Sequence, residues 1–163
     1  MFELNKKVMH ATKGLVRVMQ IDGDKVTLRK SGVYFDDNIT KIREVTSIDE
    51  AKELLNNLSQ ICEERVKSLK NDTSYYYHLA RYGSLEDLFV IMKRFYLIRA
   101  KKILYPLTPE ESSIYAFAKD KALHETSYIF ACPIEEIESY VKDQLHYVRE
   151  GNKPAPVEEE DEL

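Results

Sequence analysis

The sequence predicts an α+β protein, a small β unit followed by an all-helical one, and two observations carry that prediction. Residues 1 to about 45 read as short β-branched and apolar runs separated by turn residues. From Ser47 onward, apolar residues recur instead at three- and four-residue spacing, the helical period.

In the first part the runs are Val8-Met9, Leu15 to Ile21, Lys25 to Arg29 and Val33 to Phe35, punctuated by Gly14, Asp22-Gly23-Asp24 and Ser31-Gly32. Asp22-Gly23 between two alternating runs is the clearest local signal and predicts a tight hairpin. Four short strands with such turns make a small, strongly bent sheet, and the expectation is a truncated Tudor-like or SH3-like β-barrel over residues 1–46.

The helical part, 47–150, opens with Ser47 and Glu50 as a capping box ahead of Ile48, Ala51, Leu54, Leu55, Leu58, Ile61, Cys62, Val66 and Leu69, which predicts one helix of about 20 residues. Tyr75 to Tyr82 is a short helix ended by Gly83, and Ser84 caps the next. Thr108-Pro109-Glu110-Glu111 combines an N-cap, a first-turn proline and a glutamate at the third position, so a helix starts there and runs to about Ala131. Pro133 restarts the chain into a last amphipathic helix through Ile137, Val141 and Leu145. Residues 151–163, with Pro154, Pro156 and the acids of 158–162, are expected to form a disordered acidic tail.

Composition narrows the classes. The chain has 163 residues, 44% hydrophobic and 32% charged, enough for one domain or two small ones. Its longest apolar runs, Leu88–Met92 and Tyr128–Cys132, are too short to span a bilayer, and the N-terminus has no apolar signal core, so a cytoplasmic protein with no membrane partner is expected. The formal charge of −4 is dominated by the acids of 158–162, which leaves the rest close to neutral.

Catalytic and metal chemistry find little to work with. Cys62 and Cys132 have no paired Cys or His at zinc spacing, and His10, His78, His124 and His146 share no helix face at ligand spacing. No nucleophile elbow, phosphate loop, dinucleotide fingerprint or zinc-protease motif is present, so neither an enzyme nor a cofactor is expected. Two features suggest nucleic acid instead. Lys93, Arg94, Arg99, Lys101 and Lys102 make a basic tract with Lys67, Lys70 and Arg81 upstream, suited to phosphates if it is not simply a solvated helix face. Tyr75-Tyr76-Tyr77 places three aromatics in succession, of which at least one should reach the surface, either to cover a groove or to stack on bases.

The order of these elements and several strings resemble the CarD family of RNA-polymerase-binding regulators. Met1-Phe2-Glu3-Leu4 with Lys7-Val8 and His10 to Gly14 is similar to the family's opening, although Asn5-Lys6 stands where Gly-Asp is usual. Val33 to Asn38 followed by Arg43-Glu44-Val45 is similar to the end of its β domain. Gly83 to Leu88, Leu107-Thr108 with Glu111, and Pro133 to Ile137 resemble its helix starts. The interval between Val18 and Val33 is about half the family's, and the family's DNA-contacting tryptophan has no counterpart, since the chain has no Trp.

The resemblance implies a non-enzymatic transcription regulator, probing polymerase with its sheet and promoter DNA with its helices. The sheet would pair with a strand edge of the RNA polymerase β subunit, through Lys13, Leu15, Arg17 and Met19 of one strand and Lys25, Thr27 and Arg29 of the next. The helices would hold Lys67, Lys70, Tyr75, Tyr76, Tyr77, Arg81, Lys93, Arg94, Arg99, Lys101 and Lys102 near the melted promoter, weakly and without sequence reading, in a monomer. The alternative is an interaction adaptor of the same fold that has lost DNA contact.

Overall fold

A computed structural model describes residues 2–67, 72–101 and 108–147. The N-terminal part is a five-stranded antiparallel sheet: β1 (Lys7–His10), β2 (Gly14–Asp22), β3 (Lys25–Lys30), β4 (Val33–Asn38) and β5 (Ile42–Glu44). The order across the sheet is β4-β3-β2-β1-β5. The turns explain the meander. Asp22 pairs with Lys25 around Gly23, as the Asp-Gly signal predicts. At the next turn Ser31 and Gly32 both have positive φ, 52° and 81°, the pair of left-handed residues that a type I′ hairpin requires.

The fold is α+β as expected, but two features of the β unit differ. A fifth strand is present, which three residues without an alternating run could not announce. The barrel is not closed, because β5 pairs with β1 alone and forms no ladder with β4, from which a single 3-10 turn, Ile39–Lys41, separates it. The sheet nevertheless curls strongly. On a flat sheet β1 and β4 would lie about 14 Å apart, yet His10 Nε2 reaches Asp37 Oδ2 at 2.8 Å. Two backbone amides, of Thr12 and Lys13, donate to His10 Nδ1, so the Nε2–H is the donor to the carboxylate. The concave face holds the sheet's own core of Val8, Val16, Val18, Val26, Leu28 and Ile42.

Among the described residues six helices follow: α1 (Ile48–Asn56), α2 (Leu58–Val66), α3 (Thr73–Tyr82), α4 (Leu85–Lys101), α5 (Pro109–Phe130) and α6 (Ile134–Tyr147). The single long helix expected after Ser47 is two, broken at Asn57 (φ −117°, ψ 20°), whose side-chain amide donates to Glu53 O. Asparagine competes with the helix for its own backbone groups in this way. Gly83 ends α3 as predicted, though not through a left-handed residue. Its φ is −78°, and a Cβ there would lie 2.5 Å from Leu79 O, so close approach excludes any side chain. The Thr108–Glu111 capping box forms in full, each side chain bonding the other's backbone amide.

The helical core centres on α4, in which Leu85, Leu88, Phe89, Ile91, Met92 and Phe95 are all buried and which packs against α2, α3 and α5. No described helix is long and apolar enough to cross a membrane. The expected turn at 105–107 and the tail at 151–163 lie outside the described residues.

Candidate functional site

The residues expected to pair with a polymerase strand lie on the two strands least able to do so. β2 and β3 are interior strands, each hydrogen-bonded on both sides, so Leu15, Arg17, Lys25, Thr27 and Arg29 present no free backbone edge. Met19 sits where the β2–β3 register slips by one residue, and Lys13 lies in the turn before β2. The reason is topological: β1 and β4 flank the central hairpin. The sheet's edges are β4 and β5, and β4 is the longer, with Val33 64% and Tyr34 58% exposed. Counting from the bonded pair that closes the two-residue turn, Lys30 and Val33, the amides of Tyr34 and Asp36 point away from β3.

What β2 and β3 do present is side chains. Lys7 stands opposite Arg17, Arg17 opposite Arg29, and Arg29 opposite Tyr34, one row across four strands on the convex face. Arg29 lies over the Tyr34 ring at 5.8 Å and Lys7 over the ring of Tyr128 from α5 at 5.1 Å. Arg17 donates to Asn5 O. Among the described residues no carboxylate comes within ion-pair distance of any of the three cations. Farther along the same face, Lys25 and Thr27 are both engaged by Asp36. Lys13 is exposed over the Phe35 ring.

The helical residues expected at DNA are dispersed. Lys93 is fully buried, its Nζ donating to Leu145 O of α6 and lying 3.8 Å from Glu63 of α2, so it is no part of a surface tract. The cause is the central place of α4, which leaves it no wide polar face. Arg94 is half-buried beside the Tyr76 ring. In the tyrosine run Tyr76 is buried against Phe95, Tyr75 is half-buried, and Tyr77 alone is exposed. Tyr77 carries the guanidinium of Arg81 over its ring at 4.3 Å, and the two border a cleft of about 270 Å³ with Thr12, Glu110 and Phe117. Lys67 is exposed at the end of α2. Lys70, Lys102 and the side chains of Arg99 and Lys101 lie outside the described residues.

No family model and no curated protein matches this chain.

Between the sheet and the bundle lies a polar junction that sequence reasoning missed. Glu125 of α5 is fully buried, and both its oxygens are taken by Arg43 of β5, at 2.7 and 2.9 Å. The Thr46 amide and hydroxyl also donate to it. One turn earlier on α5, buried Lys121 donates to the carbonyls of Ala11, Ala80 and Arg81, and so ties the β1–β2 turn to the end of α3. Burial, with Arg43 nearby, pushes the Lys121 ammonium down to about 8. His124, adjacent in sequence, points outward to Asp120. Glu125 and Lys121 at i, i+4 do carry a signal, an acid and a base on one helix stripe, but i, i+4 spacing is equally that of an exposed ion pair.

Proposed function

We propose that this chain is a CarD-like transcription regulator. Its N-terminal sheet, a Tudor/SH3-like unit curled by the His10–Asp37 contact rather than closed by a ladder, binds the RNA polymerase β subunit. Its basic helices then contact promoter DNA near the bubble and modulate open-complex stability. The protein works in the cytoplasm as a monomer, without a cofactor.

The observation that carries the reading is the free β4 edge. Six residues long and exposed at Val33 and Tyr34, it offers outward amides for an added strand. The Arg43–Glu125 junction makes that edge useful, because docking the sheet then fixes where the bundle sits and raises its local concentration at DNA. The helical residues at 67, 77 and 81 that remain at the surface are the nucleic-acid side of this arrangement.

Titration of the chain against host RNA polymerase, and against the isolated N-terminal lobes of the β subunit, tests the reading. Saturable binding is expected, and Tyr34→Pro, which removes an outward amide while sparing the β3–β4 ladder, should abolish it with the circular dichroism unchanged. Absence of binding by the wild-type chain at physiological salt would overturn the proposal. The adaptor reading, in which the same sheet binds a protein but the helices have lost DNA, draws on the burial of Lys93 and Tyr76. It predicts no binding to duplex or forked promoter DNA even at low salt.

A further inference from the structure

The Lys7–Arg17–Arg29 row is a costly arrangement to leave unoccupied. Like charges directly opposite each other on neighbouring strands repel, and a sheet stabilised only by its own pairs would alternate them with acids. Here three cations stand in register with no carboxylate beside them among the described residues, around a shallow concavity of about 360 Å³ that Leu15 and Gly32 help to line. The row spans about 10 Å, two strand spacings. An exposed aromatic closes each end, Tyr34 at 58% and Tyr128 at 45% exposure.

We propose that the convex face of the sheet binds single-stranded nucleic acid, with the Lys7–Arg17–Arg29 row on the phosphates and Tyr34 and Tyr128 as stacking platforms for unpaired bases. Cations in a line with aromatics at their flanks are the elements by which strands are held without reading sequence. An acidic peptide would use the cations and leave both rings idle, and a duplex keeps its bases stacked and paired, out of reach of rings on the outside of a sheet. Its three cations stand on β1, β2 and β3, away from the β4 backbone edge, and of its rings Tyr34 belongs to β4 and Tyr128 to α5. The site uses side chains rather than the β4 amides, so it stands whether or not polymerase is the protein partner.

The test is fluorescence anisotropy of the full chain with labelled oligo-dT, in parallel with a duplex of the same length and with labelled poly-glutamate. Saturable dT binding is expected at 50 mM salt, with a log–log salt slope of about −2 for three single-strand phosphates. The Arg17→Gln/Arg29→Gln double variant should bind at least tenfold more weakly while its melting temperature holds or rises. Tyr34→Ala, which keeps every cation, should cost several-fold for dT and nothing for poly-glutamate. No saturable dT binding, undiminished binding by the double variant, or poly-glutamate binding as tightly as dT would each overturn the proposal, the last in favour of an acidic protein segment.

Discussion

In the sheet Lys7, Arg17 and Arg29 face outward in one row, whereas in the helical part Lys93, Lys121 and Glu125 are carried inside and each is satisfied there. A strand alternates its side chains every residue, so a charge between two apolar neighbours is placed on the outer face by geometry alone. A central helix has no such escape. α4 and α5 are packed on several sides, and a lysine on either must find carbonyls or a carboxylate within reach or unfold the site. The same residue type therefore reads as surface in one half of the molecule and as a structural bolt in the other.

The largest test of this contrast is at Glu125. Glu125→Ala leaves the Arg43 guanidinium half-buried without a counter-ion, and should lower unfolding free energy by about 3–5 kcal/mol in urea denaturation. The paired change Arg43→Met/Glu125→Leu should recover part of that loss, since it removes the stranded charge. A sheet charge such as Arg29 should behave oppositely, its loss being neutral. Next in size, Lys93→Ala should cost about 2–4 kcal/mol by emptying space around α4 while leaving DNA affinity unchanged. Weaker DNA binding at full stability would put Lys93 on the surface and break the comparison.

The third effect is a pH dependence at Lys121. Its folded value of about 8 lies below the ordinary 10.5. Below pH 8 the cost of burying the ammonium is fully present. Between about pH 8 and 10.5 the folded chain has released a proton that the unfolded chain still holds, so stability rises with pH. Relative to Lys121→Met, the wild type should gain about 3 kcal/mol across that window of about 2.5 pH units, measured by denaturant midpoints at each pH. A flat difference would mean that the three carbonyls hold the proton on.

Much of the fold was legible because its signals are local. The Asp22-Gly23 and Ser31-Gly32 turns, the Thr108 box and the Gly83 stop each involve residues a few positions apart, and each appears where expected. The misses are long-range. β5 is recognisable only from its pairing with β1. The slip at Met19 sets Arg17 opposite Arg29, where an unbroken hairpin would set it opposite Lys30, and no composition rule marks it. Lys93 reads as basic surface in any window of sequence, because its partners at 63 and 145 come from helices on either side.

The Arg43–Glu125 contact also sets a timetable. Its partners are 82 residues apart, so during synthesis the sheet is complete about 4–16 s before Glu125 leaves the ribosome, at roughly 5–20 residues per second. Throughout that interval Arg43 and Thr46 lack the carboxylate that both bond in the finished fold, and the sheet relies on its separate core of Val8, Val16, Val18, Val26, Leu28 and Ile42. The first part of the chain thus folds as an apprentice without its anchor, and assembly finishes only when α5 arrives to lock what has already formed.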